Sequence, residues 1–142
     1  MKKLFAVILA ALALFVFASC GKTGDEDAKT VATVEKAETR VVITVEEVDG
    51  EPTLYDVMLA LQEDGKLTFT MSADGMISSI EGKENPADWS ACWMLYTSDG
   101  ELSNNDWGAV EYNGQTYGSA IVGATDLPVI AGGVYVWAYQ SF

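Results

Sequence analysis

From Ala91 to Thr97 the chain is apolar on both parities. Ala91, Trp93 and Leu95 alternate with Cys92, Met94 and Tyr96. A strand with two apolar faces has to be covered on both sides, which places it inside a sheet rather than at its rim. The wider stretch Asp88–Tyr96 holds half of the four tryptophans, and Asp99-Gly100 ends it. We read this segment as the centre of the molecule. A chain of 142 residues has room for one ordinary domain around it and little more.

The flanking segments supply the layers that such a strand needs. Thr39 to Val48 alternates, with Val41, Ile43 and Val45 on one face and Val42, Thr44 and Glu46 on the other, and Asp49-Gly50 stops it. A helix follows. Thr53 is a favoured N-cap, Asp56 three places on completes a capping-box-like pair, and Leu54, Val57, Met58 and Leu61 form one apolar stripe. Gly65 is the expected left-handed cap. Lys66 to Ser72 reads as a strand with Leu67, Phe69 and Met71 inward, and Asp74-Gly75 turns it into a short strand from Met76 to Ile80. Glu81 to Asp88 is polar, holds Pro86 and reads as a loop. Beyond the central strand, Asn104 to Gly108 reads as a loop carrying Trp107, and Asn113-Gly114 as a two-residue hairpin turn. Leu127-Pro128-Val129 is extended, Gly132-Gly133 turns, and Val134 to Tyr139 alternates as the last strand. One helix among several strands predicts an α+β domain.

The N-terminus has a different grammar. Lys2 and Lys3 precede an apolar run from Leu4 to Phe17, which is too short to span a bilayer stably and suits the apolar core of a secretion signal. Phe17-Ala18-Ser19-Cys20-Gly21 resembles the bacterial lipobox, with Phe17 in the place usually held by leucine. That resemblance implies lipidation of Cys20 and removal of residues 1–19. Several acyl chains on one cysteine anchor a protein stably to a membrane surface without crossing it. Residues 20–38 are then a tether, because Gly21 to Lys29 is small and charged and offers little to bury. Val31 and Val34 alternate only weakly. The folded domain is expected over 39–142, in the bacterial cell envelope outside the cytoplasm.

Composition narrows the chemistry. The chain has no histidine, which removes the Ser-His-Asp and Cys-His mechanisms and imidazole zinc sites. Eight basic residues against 21 acidic ones give a net charge of −13, which repels phosphate backbones and argues against a nucleic-acid partner. Cys92 has no partner once Cys20 is lipidated, and without a basic neighbour it reads as a small buried hydrophobe. Asp99, Glu101, Asn104, Asn105 and Asp106 carry oxygen ligands but lack the Asp-x-Asp-x-Asp-Gly frame of a calcium loop. The acidic pairs Glu46-Glu47 and Glu63-Asp64 sit in no catalytic frame and read as solvated faces. No enzyme activity, metal or cofactor is expected.

Taken together, the Thr53-Leu54-Tyr55-Asp56-Val57-Met58 helix start, the Trp93-x-Leu95-Tyr96-x-x-Asp99-Gly100 strand and the terminal Val134-x-Val136-Trp137-x-Tyr139 strand are similar to a known pattern. They resemble bacterial surface-protein domains of uncharacterised function, related to the C-terminal β-domain of transcobalamin and intrinsic factor. The resemblance covers about Thr39 to Phe142. It implies a β-grasp-like fold, a curved mixed sheet packed on one short helix, and a soluble ligand that is cobalamin-like. The chain departs from the pattern at Gly132-Gly133-Val134, in the length of the segment after Asp99-Gly100, and in lacking a large helical domain to enclose a ligand.

Two functional readings follow. In the first, the domain is a lipid-anchored binding module for a small molecule or other soluble ligand. Trp89, Tyr96, Trp107 and Tyr117 are its candidate contacts, since aromatic faces give large contact area at low entropic cost. In the second, it is an adhesion or assembly module that docks a surface protein or polymer. A concave aromatic-lined pocket favours the first, and a flat aromatic patch or an open strand edge favours the second.

Overall fold

The computed structural model describes residues 29–142. The signal segment 1–19, Cys20 and most of the expected tether therefore lie outside the described residues. Nine strands and one helix follow in order: β1 (Val31–Ala37), β2 (Arg40–Glu47), α1 (Leu54–Glu63), β3 (Phe69–Met71), β4 (Ile77–Ile80), β5 (Lys83–Glu84), β6 (Ala91–Thr97), β7 (Ser103–Tyr112), β8 (Gln115–Ala120) and β9 (Val134–Ser141). They form a six-stranded sheet, β1-β2-β9-β6-β8-β7, and a three-stranded one, β3-β4-β5. The α+β class holds. The expected mixed sheet does not, because every ladder is antiparallel.

The two-faced strand sits where its pattern demands. β6 shares the middle of the large sheet with β9, pairing from Ala91↔Ser141 to Thr97↔Tyr135. Trp93 and Leu95 of β6, Tyr135 and Trp137 of β9, and Val41, Ile43 and Val45 of β2 build the larger core, on the face that carries the helix. The opposite parity, Tyr96, Val136, Ala138 and Val42, builds a second, smaller core on the other face.

The helix begins and ends as its sequence specifies. Thr53 Oγ1 accepts the Asp56 amide hydrogen (3.3 Å), and the Asp56 carboxylate accepts from the Thr53 amide (2.9 Å), a complete capping box. The amides of Leu54 and Tyr55, which have no partner inside the helix, donate to Leu127 O (2.8 Å) and Ala124 O (3.0 Å). The 124–127 segment thus docks the first turn while Leu127 enters the core. At the other end Gly65 has φ +73°, with Gly65 N donating to Gln62 O and Lys66 N to Leu61 O. This is the paired closure that a left-handed glycine permits. Leu54, Val57, Met58 and Leu61 are all buried, as the stripe predicts.

The second core is closed by curvature. β8 pairs with β6 only at Tyr96↔Ser119 and Thr97↔Gly118, while the rest of the β7–β8 hairpin runs on beyond that ladder. Its Val110 and Tyr117 pack with Val42, Val136 and Ala138. At the hairpin end Arg40 of β2 donates to Glu111 O (3.0 Å), and the Tyr112 hydroxyl donates to the Glu35 carboxylate of β1. Strands at opposite ends of the sheet order therefore touch through side chains, and the sheet curls over its second core. The hydrogen bond to the Glu35 carboxylate is the main cause that holds the Tyr112 phenol above its usual range. Asn113 (φ +49°) and Gly114 (φ +76°) make the tight turn that the sequence predicts.

Four local expectations are corrected. Residues 31–37, expected as tether, form edge strand β1; the ladder to β2 holds it, and its own side chains are mostly exposed. The strand expected over 66–72 is laddered only at Phe69–Met71, although Leu67 is fully inside. The loop expected over 81–88 contains β5, whose pairing with β4 requires only two residues. Asn104–Gly108, expected as a loop, lies within β7, where it interrupts the ladder.

Candidate functional site

The interruption in β7 sets up the first part of the site. Asn104 pairs with Ser119 and Ala109 with Gly118, so four residues of β7 stand between two neighbouring positions of β8. An insertion of this size bulges out of the sheet. Gly108 accommodates it at φ +125°. Trp107 stands on this protrusion with 63% of its surface exposed, the most exposed tryptophan of the chain. Asn104 Oδ1 accepts the Asp106 amide (2.9 Å), which fixes the start of the bulge. The preceding turn is fixed in the same way, with Asp99 Oδ1 accepting the Glu101 amide (3.0 Å).

Beside the protrusion runs an open groove of about 470 Å³. Thr97, Ser98, Asn104, Asn105, Asp106 and Thr116 line it, together with Ser103 and two glycines. Apart from the glycines, its side chains are hydroxyls, amides and one carboxylate. Gly118 forms part of it, and a Cβ there would overlap the Asn105 side-chain oxygen and come 3.2 Å from the Asn105 nitrogen. Asn105 therefore lies directly against the β8 backbone, which only glycine allows.

Trp89 supplies the second part. It precedes β6 instead of belonging to it, and its backbone has φ +57°, a strained conformation for a bulky residue. Two flanking contacts impose it. Trp89 N donates to Pro86 O (3.0 Å), and Asp88 Oδ1 accepts from both Ser90 N (3.0 Å) and Ser90 Oγ (2.8 Å). Those bonds hold the Asp88 carboxyl below its usual range, Ser90 being the main cause. The turn therefore keeps its charged acceptor throughout the ordinary carboxylate range and loses it only as pH falls below that range. The indole is 56% exposed and lines a cleft of about 240 Å³ with Met76, Ile77, Ser78, Asn85 and Pro86. Met76 is itself 51% exposed.

The other two candidate contacts are corrected. Tyr96 and Tyr117 are 4% and 6% exposed and belong to the second core, under the curled hairpin. Curvature of the sheet, which strand patterning does not reveal, turns their face inward. Burial raises the Tyr96 hydroxyl above its usual range. The remaining tryptophans are structural. Trp93 and Trp137 are buried, at 6% and 5%. Of the three grooves described, Trp89 lines one and Trp107 none, so the four aromatic candidates do not form a single site.

Cys92 is half-buried, its Sγ 3.4 Å from Met94 Sδ, and burial raises its thiol above the usual range, the reverse of an activated nucleophile. The carboxylates around Asp99–Asp106 do not converge, and no group of three metal-ligating side chains occurs among the described residues. Among them, Asp99 Oδ1 is engaged in the local turn just described.

Two grooves were not foreseen. Val31, Ala32, Pro52, Val57, Ala60 and Leu61 line an apolar trough of about 340 Å³ between β1 and α1. Reading 31–37 as tether concealed it, because β1 forms one wall. The groove beside the β7 protrusion was also missed, although Asn104-Asn105-Asp106 directly before an unplaced tryptophan marks its position.

Compared with profiles of known families, with curated proteins and with solved structures, the chain shows no significant match. No helix among the described residues is long and apolar enough to cross a membrane.

Proposed function

We propose that this chain is a lipid-anchored extracytoplasmic binding module that takes a soluble ligand on its solvent-facing tryptophans. The observation that carries this reading is the presentation of Trp107. A large aromatic side chain is held in solvent on a four-residue insertion whose Asn105 and Asp106 line a groove within the roughly 300–1,000 Å³ of small-molecule sites. An indole left in water forfeits the burial that would stabilise the fold, so its exposure on an ordered strand needs another reason. Trp89 adds a second platform, beside a cleft below that size range.

The N-terminal pattern ending in Cys20 supports placement at the bacterial envelope, with the domain anchored at the membrane surface. The resemblance to the transcobalamin β-domain puts a cobalamin-like molecule among the ligands to be tested, and the β-grasp-like assignment it implies would hold only in a form whose sheet is antiparallel throughout. The chain would act without a catalytic centre, metal or cofactor of its own, and its charge disfavours nucleic acid.

The adhesion or assembly reading is kept because of β1. It ends the sheet order, and its outer edge carries no ladder among the described residues, so it offers a place for an added strand.

Native mass spectrometry of the full-length protein, released from membranes in detergent, tests the primary reading. The panel is cobinamide, cobalamin and neutral oligosaccharides. Trp107→Ala is expected to lose an adduct seen in the wild type while its melting temperature stays nearly unchanged. A large fall in melting temperature with the adduct retained would make Trp107 structural. The absence of any adduct in the wild type would remove the binding role.

A further inference from the structure

We infer that the apolar trough between β1 and α1 takes one acyl chain of a phospholipid from the membrane that holds the anchor, with Lys29 and Lys66 meeting the phosphate. The inference rests on the proposed lipid anchor and adds a second contact with the same bilayer.

The wall of the trough is the first observation. Val31 and Ala32 of β1, with Val57, Ala60 and Leu61 of α1, make it aliphatic. Its volume of about 340 Å³ falls within the roughly 300–1,000 Å³ of small-molecule sites. Val31 and Ala60 are both exposed, so the wall stands in water. An acyl chain that enters the trough passes from one apolar surrounding to another, and the gain is the removal of the wall from water. The other two grooves differ. Each carries a carboxylate, Asp106 or Asp74, and neither carries a lysine or arginine.

Charge is the second observation. Of the five basic residues described, Lys36 pairs with Glu81 (3.4 Å), Arg40 donates to Glu111 O (3.0 Å) and Lys83 lies over the Tyr139 ring. The other two, Lys29 and Lys66, both line the trough. Asp56 and Asp64 line it as well. The Asp56 carboxylate accepts from Thr53 N and Thr53 Oγ1 at the positive end of the helix, which offsets its charge locally. Asp64 is then the acid set against two ammonium groups. In a chain of net charge −13 this is the described groove that suits an anionic head joined to an apolar tail.

Position is the third. Lys29 and Thr30 line the trough and begin the described chain, nine and ten positions after Cys20. Nine residues reach at most about 30 Å, so an acylated Cys20 keeps the trough close to the bilayer surface. Val31 pairs with Glu47 near the end of the sheet where β9 begins, whereas Trp89 precedes Ala91, which pairs with Ser141 where β9 ends. A trough seated on the membrane therefore leaves the Trp89 cleft at the far end of the domain.

The test uses the full-length protein in vesicles of phosphatidylethanolamine and phosphatidylglycerol, doped with a phosphatidylglycerol whose acyl chain ends in a diazirine. Flotation, irradiation and peptide mapping locate the label. It is expected on the peptides that carry Val31–Ala32 and Ala60–Leu61 and not on the peptide that carries Trp89. Ala60→Glu, at an exposed point of the wall, should abolish the trough label while the protein still floats. Lys66→Gln should lower that label about five-fold, the effect of one lysine at a phospholipid surface. Melting temperatures close to the wild type in both variants separate loss of the site from loss of the fold. The inference is overturned, with the anchor left in place, if the floating wild type takes no label in the trough, if the label survives Ala60→Glu or is unchanged in Lys66→Gln, or if the Trp89 peptide is labelled equally. A wild type that does not float would remove both.

Discussion

Trp93→Ala is expected to lower the unfolding free energy by about 3–5 kcal/mol, the range for truncating a buried large aromatic residue. The upper part of that range is expected because the indole holds two sheets together. Its ring meets Tyr139 edge-on, with centroids 5.4 Å apart, and its Nε1–H donates to Lys83 O (2.8 Å) on β5. The Tyr139 hydroxyl donates to Glu84 O on the same strand, and the Lys83 ammonium lies 4.5 Å from the Tyr139 ring centre. Asn85 Oδ1 also accepts the Trp93 amide (3.0 Å). Removing the indole leaves a cavity in the larger core and frees the two-residue strand β5, which has no other strand beyond it in its sheet. Urea unfolding should show a lower midpoint with an unchanged slope. A variant as stable as the wild type would mean that the domain is not built around β6.

Cys20→Ala is expected to move the protein from the membrane pellet to the soluble fraction while leaving the melting temperature of the folded domain unchanged. Each buried acyl CH₂ contributes about 0.8 kcal/mol, so two or more chains make release negligible and their loss makes it complete. Cys20 lies outside the described residues, nine positions before Lys29, where the described chain begins. Incorporation of radiolabelled fatty acid in the native host, followed by fractionation of the variant, checks both halves. A wild-type protein that takes up no label would end the proposal of a lipid anchor.

Periodicity was a good guide wherever one face of an element meets one core. The face assignments of β2, β6 and β9, the helix stripe and both helix caps were legible because each follows from residues within one or two turns of one another. Long-range pairing was less legible. β1 is stabilised by its ladder to β2 and exposes most of its side chains, so its sequence shows little of the alternation that marks a half-buried strand. β5 is stabilised by the indole and phenol of distant strands. Tyr96 and Tyr117 show the same limit at the candidate site. Their alternation places them on the second face of the sheet, but only the contacts of Arg40 and Tyr112 with the far end of the sheet reveal that this face is folded over. Trp107 was identified as the aromatic that no core pattern accounts for, and it is exposed. Trp89 was assigned to the central stretch, and its exposure depends on a backbone angle that the turn residues Asp88 and Ser90 impose.

Brief oxidation of the folded full-length protein with N-bromosuccinimide, followed by peptide mapping, tests most directly whether the exposed tryptophans capture a ligand. Trp89 and Trp107 are expected to react while Trp93 and Trp137 are spared, and prior addition of a ligand that forms an adduct in the mass spectrum should protect Trp107. Oxidation of Trp93 or Trp137 ahead of Trp107, or a Trp107 that reacts equally fast with the ligand bound, would contradict that role.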